Sequence, residues 1–319
     1  MRCTPSSVLG VTQTSVPVNA RTAIRLVSCA IALAAPATAA ARPVPSLDAV
    51  AEARRYVARA DGAAQVSFAV IGTRGRLYSL NGGRIHQSAS QTKAMLLVGY
   101  LRRLGRRPVP PAVKPLLSAM IRRSDNRAAH QVRPLVGDAG LASVGRAAGM
   151  RNLQLNGTWS NVGITAVDQA RFFLRFDRLC PRRHRPYARR LLGSVVAPQR
   201  WGIPRAARRH PLEVFVKGGW RRGLVNQGAL LETGDDRRLS IVVLTSGLPF
   251  AQGTHAIEVV ARKLLRAPRR VRPRRTRFVP DAWRVAPPRW SNRSTRPRPT
   301  RSTTPRSTPR GPRCSPGCS

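Results

Sequence analysis

Eight consecutive residues, Ala94-Met95-Leu96-Leu97-Val98-Gly99-Tyr100-Leu101, carry no charge and, Gly99 apart, are apolar. A helix apolar on every side has no solvent face, so it must run through the middle of a domain with other elements packed round it. Ser90-Gln91-Thr92-Lys93 stands immediately before this run. Residues three apart on a helix are neighbours, so Ser90 and Lys93 are expected on one face of its first turn. Backbone N–H groups are unpaired there and the helix dipole favours negative charge, which suits a serine about to become an alkoxide. The partner amine must give up its own proton. Burial makes that feasible for lysine and nothing makes it so for arginine.

Composition sharpens the point. Of 57 Lys plus Arg only four are lysines: Lys93, Lys114, Lys217 and Lys263. In so arginine-biased a chain, a retained lysine points to lysine's chemistry, although a lone Ser-x-x-Lys also recurs by chance. The formal charge of +44 attracts anionic partners such as nucleic acid, lipid head groups or wall polymers. A general drift from lysine to arginine is the competing reading, because the arginines spread over the entire chain. With 319 residues there is room for one good-sized domain or two, and 27 prolines imply unfolded stretches as well.

The N-terminus reads as an export leader over residues 1–41. Arg21 and Arg25 precede the apolar Leu26 to Ala35, and the small residues Pro36 to Ala41 offer cleavage after Ala39 or Ala41. That core is too short for a permanent transmembrane anchor, so the mature protein is expected to be secreted, with no stable membrane span. Cys180 and the tail pair Cys314 and Cys318, left once the leader is gone, form no disulfide framework. Five scattered histidines give no metal-ligand spacing, so no metal and no cofactor is expected.

Ser46 is placed to cap a helix over Leu47 to Ala60. Gln65 to Ile71 and Gly75 to Leu80 read as paired strands about a turn at Gly72-Thr73-Arg74. After the Ser90 helix, which ends near Gly105, no convincing strand appears between Pro110 and Val196. Helices are expected there at Pro111 to Ile121, Arg127 to Leu135, Ala139 to Ala148, Ala166 to Leu179 and Arg185 to Val196. Thr165 and Asp168 fit a capping box for the fourth of these. Strands return at Glu213 to Val216, Asn226 to Glu232 and Leu239 to Thr245, the last two joined by a hairpin turn at Gly234-Asp235-Asp236. A helix over Ala256 to Leu265, begun by Thr254 and Glu258, closes the pattern. The expected fold is α+β: an antiparallel five-stranded sheet flanked by N- and C-terminal helices, with an all-helical insert over about residues 84–210. The domain spans 42–267. Beyond it, 268–319 is rich in Arg, Pro, Ser and Thr with Asp281 its only acid, and reads as a disordered cationic tail able to meet an anionic wall polymer. Trp283 and Trp290 among the arginines are thin support for nucleic-acid stacking, and the leader argues against that partner.

Two further motifs follow Ser90 and Lys93. Ser124-Asp125-Asn126 lies between two helices of the insert, and Lys217-Gly218-Gly219 ends the strand Glu213 to Val216. Each is rare by chance, and three in this order much rarer. The trio resembles the penicillin-recognising serine acyl-transferases, specifically their class A β-lactamase-like branch. Ile203-Pro204 ahead of the Lys217 strand, and the layout of helix, two strands, helical insert, three strands and helix, fit the same branch from about Ser46 to Leu265.

The resemblance implies roles. Ser90 is the nucleophile and Lys93 its base, or the holder of the site's charge balance. Ser124 passes a proton to the leaving nitrogen, assisted by Lys217, while Asn126 positions the substrate's side amide and Lys93. The oxyanion hole consists of the backbone N–H groups of Ser90 and Trp220. Gly218 and Gly219 line the substrate. Taken singly, Ser124 and Asn126 also suit helix caps, and Lys217 a solvated strand end.

Three departures qualify the activity. Class A enzymes activate the deacylating water with a loop glutamate, but the four glutamates here are Glu52, Glu213, Glu232 and Glu258, and the loop from Leu153 to Gly163 holds no acid. Gly218 stands where the family usually has threonine, losing a hydroxyl for the substrate carboxylate that Arg221 or Arg222 would have to replace. The interval from Lys93 to Ser124 is also short for the family. The expectation is a secreted, monomeric serine hydrolase, acylated at Ser90 by β-lactams or wall peptides and slow to deacylate. A D-alanyl-D-alanine carboxypeptidase or transpeptidase-like acyltransferase and a non-catalytic wall-binding protein are the alternatives.

Overall fold

The computed structural model describes residues 45–60, 64–234 and 237–266. The expected leader, the expected tail, and Asp235 and Asp236 of the hairpin turn lie outside the described residues.

The chain opens with α1 (Leu47–Ala60), whose first turn is capped by the Ser46 hydroxyl accepting from Ala49 N at 3.2 Å. β1 (Gln65–Gly72) and β2 (Leu77–Leu80) form the expected hairpin. A two-residue strand, β3 (His86–Gln87), leads through a 3-10 turn at Ala89–Thr92 into α2 (Lys93–Leu104). Then follow α3 (Lys114–Arg122), α4 (Asn126–Ala148) and another two-residue strand, β4 (Gly163–Ile164). After these come α5 (Ala166–Leu174), α6 (Phe176–Leu179), α7 (Arg185–Gly193) and α8 (Ile203–Ala207). The chain then returns to strands with β5 (Glu213–Arg221), β6 (Leu224–Glu232) and β7 (Arg238–Ser246), and closes on α9 (Phe250–Leu264).

The five long strands make one antiparallel sheet in the order β2-β1-β7-β6-β5. Side chains alternate across it with the period of two that a pleated strand imposes. Phe68, Val70, Ile241 and Val243 face α1 and α9, against Val50, Val57, Ile257 and Val260. Ala69, Leu230, Val242 and Leu244 face the helical insert, against Met95, Phe172 and Phe173. The expected α+β architecture is the observed one.

The apolar helix behaves as its composition demands: every residue from Lys93 to Leu101 is buried. Met95, Leu96, Leu97 and Leu101 are each 0% exposed, and burial of each contributes roughly 1.5–3 kcal/mol. That gain offsets the cost of taking the Lys93 amine out of water. The layers on either side are also clamped by shared acids. Asp177 accepts from Arg189 and Arg238 at 2.8 Å each, and both arginines also pair with Glu232, joining α6 and α7 to β6 and β7.

Several expected boundaries move. The two helices expected at Arg127 to Leu135 and Ala139 to Ala148 form α4, broken at Gly137, whose φ of 69° and ψ of 174° only glycine adopts easily. The helix expected over Ala166 to Leu179 splits at Arg175 into α5 and α6. Lys217-Gly218-Gly219 does not end its strand but lies inside β5, which runs on to Arg221. β4 interrupts the stretch expected to hold no strand, and α8 was not anticipated. α9 starts at Phe250, before Ala256, so Thr254 lies inside it and its hydroxyl bonds Ala251 O.

Candidate active site

Ser90 is not in the first turn of α2 but in the 3-10 turn just before it, and Lys93 opens the helix proper. The turn is held from outside. Ser88 N donates to Val162 O at 2.8 Å, Ala89 N to Ser160 O at 3.1 Å and Asn226 Nδ2 to Gln87 O at 2.7 Å. Ala89 is pinned at φ 45°, a left-handed conformation costly for any residue with a Cβ. Strand β5 passes directly over this turn. A Cβ on Gly219 would lie 2.7 Å from Ser90 N, Gln91 N and Ser88 O, so only glycine permits the approach. The backbone N–H of Ser90 is thereby brought beside the strand segment Gly219-Trp220, the expected second half of the oxyanion hole.

Ser124 bends the chain between α3 and α4 at φ 57°, again left-handed. This bend presents both its oxygens to the two buried amines. Lys93 Nζ donates to Ser124 O at 2.5 Å, to Asn126 Oδ1 at 2.7 Å and to Ser124 Oγ at 3.4 Å. Lys217 Nζ donates to the same Ser124 Oγ at 2.9 Å and to Gly218 O at 2.6 Å. Asp125, between the two site residues, caps α4 by accepting from Ala128 N at 2.7 Å. Thus Lys93, Ser124, Asn126 and Lys217, distant in sequence, form one hydrogen-bonded group. The Ser90 hydroxyl bonds to none of them and is free to meet a substrate carbonyl. Ser90 and Ser124 are each 9% exposed and Asn126 is exposed, while both lysines are 0% exposed, so the amines alone of this set are shut off from solvent.

Burial governs the electrostatics. It pulls the Lys93 ammonium down from its usual range to about 7, with the Asp125 carboxylate opposing part of the shift. Burial likewise holds Lys217 well below its ordinary value, and the neighbouring Lys93 charge pushes it further down. An amine poised near neutrality, three residues from a serine, is suited to taking the hydroxyl proton.

Other expected site residues fall elsewhere. Gly218 faces the opposite side of β5, where Trp201 Cζ2 would lie 2.8 Å from an added Cβ; the indole occupies the room a threonine side chain needs. Arg221 is outside the hydrogen-bonded group and donates to Asn161 Oδ1 at 3.0 Å. The Trp220 ring packs edge-on to Trp201 at 6.1 Å. Asp168 is not the reciprocal partner of a capping box. Thr165 Oγ1 does accept from Asp168 N at 3.1 Å, but the carboxylate accepts from Asn152 N at 2.8 Å and pairs with Arg171 at 3.1 Å. It is committed and 0% exposed.

The loop without an acid closes on itself, with two backbone hydrogen bonds of 3.0 and 2.8 Å pairing Gln154 with Gly163. From it Trp159 turns inward, 5% exposed, with its ring 4.5 Å from Lys93 Nζ. Nothing local in the sequence marks this contact, nor those of Ser88, Trp201 and Asn226. Among the described residues no three His, Cys, Asp or Glu side chains gather into a metal-binding group.

A family model described as the beta-lactamase enzyme family matches residues 105–267, a stretch that contains Ser124, Asn126 and Lys217 and begins after Lys93. A search of curated proteins finds no match. Among solved structures, the chain is similar to a beta-lactamase from Sphaerobacter thermophilus, with 21% identity over 69% of this chain and 96% of that one and a TM-score of 0.60. It is similar also to a beta-lactamase from Desulfarculus baarsii, at 21% identity over 70% and 100% with a TM-score of 0.58. A third likeness is to a variant of PBP-A in an acyl-enzyme complex with penicillin G, at 15% identity over 71% and 97% with a TM-score of 0.60. At these identities the likeness establishes the fold.

Proposed function

Because the chain belongs to the beta-lactamase enzyme family, we propose that it is an active-site serine hydrolase acylated at Ser90 by β-lactams or by the wall-peptide amides they mimic. The observation that carries this reading is the group joining Lys93, Ser124, Asn126 and Lys217 beside the Ser90 turn. Neutral Lys93 takes the hydroxyl proton as Ser90 Oγ bonds to the carbonyl carbon. Charge developing on the carbonyl oxygen is met by the N–H groups of Ser90 and Trp220. As the carbon–nitrogen bond breaks, Ser124 Oγ hands a proton to the departing nitrogen and takes one from the protonated Lys93, which becomes neutral again, while Lys217 stabilises the hydroxyl.

The second half of the cycle lacks a carboxylate base. No acid lies from Leu153 to Gly163, and Asp168 is already paired and buried. This favours a long-lived acyl-enzyme, and transfer to a wall amine over rapid lactam hydrolysis. The basic leader followed by an apolar core supports export to the compartment where such substrates occur.

Intact-mass analysis over time after adding penicillin G tests the reading. Wild-type protein should gain the mass of one whole penicillin molecule, since ring opening expels nothing, and keep it for hours; Ser90→Ala should gain none. No adduct on the wild type, or an equal adduct on Ser90→Ala, would overturn it.

A further inference from the structure

Lys93 Nζ lies within hydrogen-bond reach of Ser124 O, Ser124 Oγ and Asn126 Oδ1, and the face of Trp159, from the acid-free loop, covers its loop side at 4.5 Å from Nζ. The indole is fixed there by its surroundings. Its backbone O accepts from Ser88 Oγ at 3.3 Å, its neighbour Ser160 holds Ala89 N, and the His130 ring meets it edge-on at 5.6 Å. The buried Nε1–H meets no acceptor among the described residues. Trp159 therefore contributes a face and a volume, not a hydrogen bond, to the turn that bears Ser90.

We propose that Trp159 is a positioning residue that sets the lifetime of the acyl-enzyme, by roofing the Lys93 amine and denying it a hydrolytic water. The inference rests on the serine-acylation reading above. Hydrolysis of the ester requires a water oxygen to bond to the acyl carbon while its proton passes to a base. The bond from that carbon to Ser90 Oγ then breaks, and Oγ recovers a proton from the same base. With no free carboxylate on the loop, neutral Lys93 is the base at hand. What it lacks is room for water on its loop side, which the Trp159 ring covers.

The adduct lifetime in variants of the full chain decides the matter, measured by intact mass after penicillin G has been removed. Trp159→Ala and Trp159→Leu open that side, and the adduct should be lost at least roughly tenfold faster than in the wild type, part of the about 10²–10⁴-fold that a well-positioned general base contributes. Trp159→Phe keeps an aromatic face and should retain a lifetime within about threefold of wild type, because no indole hydrogen bond is lost. Loss in the opened variants should quicken as pH rises through neutrality. The groups around Lys93 that shape this profile are Asp125, Lys217 and, across the ring, His130. A merely structural role would give no such profile and no split between Phe and Leu. Should Trp159→Ala fail to fold, the comparison of Leu with Phe stands by itself. Adducts that form but decay alike in wild type, Phe and Leu would overturn the role of Trp159 while leaving acylation intact. Absence of any adduct on the wild type would overturn both.

Discussion

The charge state of Lys93 should be legible in the acylation rate. Burial brings its ammonium from 10.5 to about 7, which corresponds to about 5 kcal/mol disfavouring the charged form. On that basis roughly half the molecules hold a neutral Lys93 at pH 7, about a tenth at pH 6 and about a hundredth at pH 5. If neutral Lys93 takes the Ser90 proton, the acylation rate falls close to tenfold per pH unit below 7 and levels off above about 8. Asp125 is the perturbation that separates this cause from others. Its carboxylate raises Lys93 against burial, so Asp125→Asn, which preserves an oxygen for the α4 cap at Ala128 N, should shift the inflection to lower pH. Stopped-flow fluorescence with a labelled penicillin, from pH 5 to 9 on both proteins, measures the two curves. An acylation rate flat from pH 5 to 8, or an inflection that rises in Asp125→Asn, would refute the assignment of Lys93 as base.

Three other outcomes follow from the same geometry. Lys93 binds its proton less readily when folded than when unfolded, so the unfolded state holds more protons between pH about 7 and 10.5, and stability rises with pH across that window. The Tm of Lys93→Met relative to wild type, followed by differential scanning calorimetry, should therefore increase as pH is lowered from 9 to 7. Gly219→Ala places a Cβ 2.7 Å from three backbone atoms of the Ser90 turn, short of ordinary contact by about 0.7 Å, and should cut the acylation rate on the order of 100-fold by displacing the oxyanion donors. Asp168→Asn weakens the pair with Arg171 and the anchor on Asn152 N, and should cost roughly 1–3 kcal/mol in urea unfolding, with acylation little changed.

The sequence carried the chemistry better than the geometry. Ser90, Lys93, Ser124, Asn126 and Lys217 were legible because few residue types can do their work, and an arginine-rich background made two buried lysines conspicuous. The core was legible too, since an uncharged run such as Ala94 to Leu101 leaves a helix no exposed face. Boundaries suffered where no periodicity exists to read. β3 and β4 are two residues each, α8 is five, and neither length repeats a pattern. The Gly-Gly in β5 looked like a strand end, yet glycine is required there because Trp201 presses on one side of the strand and the Ser90 turn on the other. Trp159 over Lys93 was invisible, because residues 66 apart in sequence meet only once the loop has closed. Asp168 fitted a local capping rule, but its carboxylate found better donors in Asn152 N and Arg171 once the chain had folded.

A crystal structure of the penicillin-treated protein examines the central claim most closely. The account predicts continuous density from Ser90 Oγ to an opened lactam, its carbonyl oxygen between the N–H groups of Ser90 and Trp220, and Lys93 still bonded to Ser124 and Asn126. A penicillin bound intact without a bond to Ser90, or attached to any other side chain, would contradict it.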